Sequence, residues 1–226
     1  MSTFVTSDPH FGHQAIIGYC QRPFETLEQM TNVIIDRWNE KVKPKDDVFL
    51  LGDVFVGLKQ REAMAIRSKL VGNIHLIAGN HDEVAKGMPR AWAWIKDLYE
   101  LKFQKFHAIM CHYPLRSWPG NTHGVINLHG HCHGNMAPCA NYPQLDVGVD
   151  VHAFYPVAIE AVQGIVDMPL EFDAPATNDE LNDLVRHMWM YDGYPDNGVR
   201  TMSVRQASLY RLITRPRKQA PRRVAA

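Results

Sequence analysis

One phrase recurs along this chain and constrains its fold more than any other feature. A short apolar, β-rich run ends, and residues bearing carboxylate, imidazole or amide groups follow at once. It occurs in "TFVTSDPH" near the start, "DVFLLGD" (47–53), "NIHLIAGNHD" (73–82), "FHAIMCHYP" (106–114) and "VINLHGHCH" (125–133). A sixth run, "VAIEAVQGIV" (157–166), alternates more weakly and is read as a sixth strand. Helical patterns separate the early runs. Over Thr26 to Lys43, Thr26 and Gln29 have capping-box spacing, Leu27, Met30, Ile34 and Trp38 form an apolar stripe, and Pro44 follows the end. A second helix is expected over Lys59 to Val71, stopped by Gly72. Strand alternating with helix points to an α/β layered sheet, with mixed or antiparallel pairing where helices become scarce. With 46% hydrophobic and 21% charged residues, 226 residues suffice for one large domain, or a domain plus an appendage.

The polar groups stand at the C-terminal end of each of the five strands, which is where open α/β sheets form their ligand sites. Asp8, His10, Asp53, Asn80, His81, His112, His131 and His133 are therefore expected at one edge. Within "GHCHG" (130–134), His131 and His133 alternate, so on an extended segment their rings would share a face. Imidazole, carboxylate and amide oxygen suit divalent Mn, Fe, Zn or Ni. Two aspartates, one asparagine and four histidines exceed the needs of one catalytic ion, but they suit two ions about 3.5–4 Å apart sharing a carboxylate.

The phrases "DPH", "GD", "GNHD", a histidine after the fourth strand, and "GHCH" resemble, in order and spacing over about residues 3 to 160, the five motifs of the calcineurin-like metallophosphoesterases. "SDPHFGH", "QRPF", "CHYP" and "LDVGVD" are similar to the small bacterial and phage members. The resemblance implies a layered αββα sandwich with mixed β-sheets and a metal site at the C-terminal strand ends. It also implies a phosphoesterase using two divalent ions, Mn²⁺ before Fe, Zn or Ni. Asp8, His10 and His133 would hold one ion, Asn80, His112 and His131 the other, and Asp53 would bridge them. Cys132, between the two histidines, would turn into the core. His81 would protonate the leaving group, with Asp82 orienting its ring.

Arg22 in "QRPF" has two readings, a fork for substrate phosphate or a salt bridge within a loop. His13 and His123 lie near the motifs and are candidates for substrate contact, against a plain surface or capping role. Tyr113 and Trp118 are read as packing residues. The domain is placed at 1–168 and a C-terminal extension at 169–226. That extension divides by charge: 167–196 carry eight acids and one base, and 197–226 carry eight bases and no acid. The basic tail offers a nucleic-acid contact or an assembly contact, as in a homo-oligomer. A small phosphoester is the preferred substrate. No run suits a membrane span and no leader precedes "SDPH", so a cytoplasmic location is expected, with the four cysteines as thiols. A structural zinc module lacks its CxxC knuckle. A non-catalytic scaffold of the same fold would be expected to have lost motif residues, and none is missing.

Overall fold

A computed structural model describes residues 1–103, 106–136 and 143–166. Its strands, in chain order, are β1 (Thr3–Thr6), β2 (Asp47–Leu50), β3 (Asn73–Ile77), β4 (Ile95–Lys96), β5 (Leu98–Phe103), β6 (Phe106–Cys111), β7 (Ile126–His129), β8 (Gln144–Asp146) and β9 (Val157–Ala158). They form two sheets, ordered β4-β3-β2-β1-β9 and β5-β6-β7-β8. β1 to β4 run parallel, as do β6 to β8, while β9 and β5 pair antiparallel at the edges. The architecture is α/β with mixed sheets.

Alternation along the strands divides the core in two. Phe4, Val48, Leu50, Ile74 and Leu76 face the helices α1 (Gln14–Tyr19), α2 (Leu27–Lys41), α3 (Gln60–Arg67) and α4 (Glu83–Lys86). Val5, Phe49, Leu51 and Ile77 face the other way, against Ala108, Met110, Ile126 and Leu128 of the second sheet. Fully burying a Val, Leu, Ile or Met side chain such as Val5, Leu50, Met110 or Ile126 contributes about 1.5–3 kcal/mol. The sandwich thus fixes both sheets back to back, and their parallel strands deliver their C-terminal ends to one rim. α2 begins where its cap predicts: Thr26 Oγ1 accepts the Gln29 N–H at 3.1 Å, and Met30, Ile34 and Trp38 are buried.

Two expectations change. The sixth run is a strand only at Val157–Ala158; Ile159–Val166 is a helix, α5. Ile159 and Val162 are buried, and Ile165 and Val166 pack on the same inter-sheet core, which is helical spacing. The short strands β4 and β8 and the edge strand β5 carry weak sequence patterns and emerge only from pairing. On the outer face of the second sheet, Ile109 packs with Trp118 and Val125, confirming Trp118 as a packing residue. The expected boundary at 168, the acidic and basic segments and Cys139 lie outside the described residues. Among those described, no helix is long and apolar enough to cross a membrane.

A 3-10 turn, Val149–Val151, ties β8 to β9 and places His152 in the interior. The ring lies 2.7 Å from the Asp146 carbonyl through Nε2, and burial pushes its pKa down to about 4. It stays neutral when folded, while an unfolded histidine takes its proton near pH 6.5. Between those values the unfolded state binds more protons, so stability falls as pH falls through this window, by about 3 kcal/mol. In urea titrations, the stability difference between wild type and His152→Gln should shrink by about that amount from pH 7 to pH 4; a constant difference would show that the ring is not held neutral.

Candidate metal centre

The strand ends do converge. Asp8 and His10 follow β1, Asp53 follows β2, Asn80 and His81 follow β3, His112 follows β6, and His131 and His133 follow β7. Ligand-type atoms of Asp8, His10 and His133 lie within 4.8 Å of one another, and so do those of Asp53, His112 and His131. Asn80 Oδ1 is 3.1 Å from His112 Nε2, on the second group. Asp53 stands between: its Oδ2 is 3.5 Å from His10 Nε2 and 3.6 Å from His112 Nε2.

Each carboxylate has one oxygen anchored and one offered. Asp8 Oδ2 accepts the His131 N–H at 2.9 Å, and Asp53 Oδ1 accepts the His81 N–H at 2.8 Å. The other oxygens, Asp8 Oδ1 and Asp53 Oδ2, turn toward the imidazoles. Asp8 Oδ1 and His10 Nε2 are buried without a hydrogen-bond partner. Such atoms cost about 1–3 kcal/mol each unless something satisfies them, and a cation does so for both at once. Two rings also have their far nitrogens tied down: His112 Nδ1 lies 2.6 Å from the Leu51 carbonyl, and His133 Nδ1 lies 2.7 Å from Asp150 Oδ2. A proton held on Nδ1 leaves the Nε2 lone pair for a metal. The donor set fits divalent cations.

Backbone strain marks the same residues. Among the described residues, eight non-glycines have positive φ, and five of them are Asp8, His10, Asp53, His131 and His133. This corrects the expected extended geometry of "GHCHG". β7 ends at His129, and left-handed turns at His131 and His133 send the two rings to different groups. Cys132 is half-buried rather than a core residue, and burial, with Asp146 and Asp8 nearby, pushes its thiol up to about 11. Glycine is required at Gly79, where a Cβ would collide with Asp53 Oδ1 and stand 2.7 Å from the Asp53 backbone nitrogen.

His81 is exposed, with its ring 5.8 Å from that of His10. Asp82 does not orient it. The carboxylate is buried and accepts three backbone N–H groups, from Asp53 (2.9 Å), Val54 (2.8 Å) and Gly79 (2.7 Å), locking the ends of β2 and β3 together. Burial raises its pKa despite those bonds. Arg22 is 3% exposed and forks onto Asp150 at 2.7 and 2.8 Å, so the loop salt bridge holds and the substrate fork does not. His13 reaches the rim, with its Nδ1 3.2 Å from His10 Nδ1 and its ring 6.4 Å from that of His81. His123 bonds Thr122 Oγ1 at 3.0 Å in the turn Asn121–His123, and none of its described contacts reaches the cluster. Tyr113 is 43% exposed, and its ring lies 4.9 Å from that of His131, so it borders the site rather than packing inside. Asp150 was missed by sequence reasoning; its only signal was its place in "LDVGVD".

The model of the calcineurin-like phosphoesterases matches residues 1–193. The chain belongs to that family. This calcineurin-like protein is 30% identical over 172 residues to an uncharacterised protein of Methanocaldococcus jannaschii, spanning 73% of this chain and 90% of that one. Its fold is similar to the crystal structure of a protein of unknown function from Aquifex aeolicus. The TM-score there is 0.61 at 22% identity, over 73% of this chain and 98% of that one. A more distant structure, described as a novel archaeal phosphodiesterase, has a TM-score of 0.41 at 16% identity over 66% and 84% of the two chains, too remote to bear on either. The family's chemistry is metal-dependent phosphoester hydrolysis.

Asp82 gives this site a direct test. Asp82→Ala orphans three buried N–H groups and should lower stability by at least about 2 kcal/mol in urea. Unchanged stability would show that the three bonds are not what fixes the Asp53 turn.

Proposed function

We propose that this phosphoesterase uses two divalent ions, preferably Mn²⁺, to hydrolyse small, nucleotide-like phosphoesters. One observation carries this reading: the offered oxygen of Asp53 stands between two separate groups of ligand-type side chains. In this reading Asp8, His10 and His133 hold one ion, Asn80, His112 and His131 the other, and Asp53 both. When bound, the ions supply Lewis acidity toward phosphoryl oxygens and a supply of hydroxide near neutral pH.

The chain's own groups do the rest. His81 is not in either group, yet its backbone N–H is anchored on Asp53 and its ring is exposed beside His10. In this reading the His81 ring is the proton donor for a departing alkoxide, and its exposed position at the rim supports that role. His13, on the same rim, lies against His10 Nδ1 and near the His81 ring, and in this reading it is a substrate contact. Buried Leu51, Asp82 and Asp150 hold backbone and imidazoles in place, so that little reorganisation is needed when substrate enters.

The test is turnover of mono- and diesters with Mn²⁺ before and after chelation. Hydrolysis should need the metal, and a complete absence of metal-dependent turnover across both ester classes would overturn the reading. His81→Ala should keep its metal content while kcat for alkyl esters falls roughly 10²–10⁴-fold. The loss should be smaller for nitrophenyl esters, whose leaving group needs little protonation. An equal loss for both leaving groups would remove His81 from the proton-donor role.

A further inference from the structure

Arg22 and Asp150 form a buried ion pair that touches one of the two ligand groups and not the other. All five guanidinium N–H positions find acceptors. Nε and Nη2 fork onto Asp150 Oδ1 and Oδ2 at 2.7 and 2.8 Å, and Nη2 also reaches the Asp8 carbonyl at 2.8 Å. Nη1 reaches the Pro9 carbonyl at 3.0 Å and Met30 Sδ at 3.3 Å. Asp150 Oδ2 is also the partner of His133 Nδ1 at 2.7 Å. One cation thus braces the turn bearing Asp8 and His10 and, through Asp150, the ring of His133. Those are the three members of one group.

Among the described residues, the other group has no arginine–carboxylate pair behind it; Asp82 braces only backbone N–H groups there. His112 leans on a neutral backbone carbonyl, Leu51 O at 2.6 Å, while His131 and Asn80 are exposed. Strain supports the same division. Among the described residues, the positive-φ non-glycines that are not in either ligand group are Gln21, Ala153 and Phe154. Gln21 adjoins Arg22, and Ala153 and Phe154 close the turn that follows Asp150, where the Phe154 ring lies 5.9 Å from the guanidinium carbon. A buried ion pair is a poor stability device in itself, because its desolvation cost rivals its attraction. Strained backbone and a fully satisfied buried pair around one imidazole point to a positioning role. Cys20, His133 and Asp150 also cluster within 4.8 Å, but both Asp150 oxygens are already engaged by Arg22 and His133.

We propose that Arg22 and Asp150 are positioning residues dedicated to the Asp8–His10–His133 group, and that they make it the tighter, first-filled of the two cation sites. The inference rests on the two-ion reading above. Asp150 fixes the proton on His133 Nδ1 and presents Nε2; Arg22 holds Asp150 in place and pins the Asp8 and Pro9 carbonyls.

The experiment is calorimetric titration of the chelator-stripped full chain with Mn²⁺, for wild type, Asp150→Asn and Arg22→Lys. In parallel, the Zn²⁺-loaded proteins are examined by NMR for the His133 Nδ1 proton. Wild type should show two classes of site and a far-downfield Nδ1 proton. Asp150→Asn should weaken the tighter class about 10–100-fold, leave the weaker class unchanged and lose the downfield signal. Arg22→Lys keeps the charge but not the fork, and should weaken the same class by less; it decides the matter if Asp150→Asn fails to fold. Equal weakening of both classes, or of neither, with two ions still bound, overturns the positioning role and leaves the two-ion reading standing. Fewer than two ions on wild type overturns both.

Discussion

The Asp53 carboxylate is the point on which the site depends. Its Oδ1 is spent on the His81 N–H, which leaves Oδ2 between His10 Nε2 at 3.5 Å and His112 Nε2 at 3.6 Å. Those imidazoles come from different sheets, so one oxygen couples the two halves of the sandwich at their common rim. A carboxylate held there without cations would face two nitrogen lone pairs or compete for their protons. In the two-ion reading proposed above it would be the shared ligand. Much of the surrounding structure serves to put that oxygen there. Asp82 binds the Asp53, Val54 and Gly79 N–H groups, and Gly79 has no Cβ to collide with the carboxylate.

Strain and support are distributed by the same logic. Left-handed backbone at aspartate and histidine costs on the order of 1–2 kcal/mol per residue. The described residues adopt it at five ligand-type positions and at three positions flanking the Arg22–Asp150 pair. The two sheets, with their fully buried Val5, Leu51, Met110, Ile126 and Leu128 between them, are stable enough to impose it. The rim is therefore preorganised rather than assembled by its ligand, and the cost of ordering it falls on folding.

The sequence made the main strands and the membership of the rim legible for a simple reason. Apolar runs ending in chemistry-bearing residues are local patterns, and parallel pairing carries each C-terminal end to the same side. α2 was readable down to its Thr26 cap. What escaped depends on contacts distant in sequence. Arg22 and Asp150 are 128 positions apart, so nothing near "QRPF" shows whether the guanidinium faces a phosphate or a buried carboxylate. Asp82 adjoins His81 in sequence, yet its side chain turns inward to backbone N–H groups. The left-handed turns at His131 and His133 could not be read from alternation, which assumes extended backbone. β5, with Leu98, Glu100 and Lys102 exposed along an edge, has too little buried surface to announce itself.

Anomalous diffraction at the manganese edge, from crystals of the full chain grown with Mn²⁺, tests the central claim most directly. Two peaks should appear, one among Asp8, His10 and His133 and one among Asn80, His112 and His131, with Asp53 contacting both. A single peak, or peaks away from Asp53, would contradict the account.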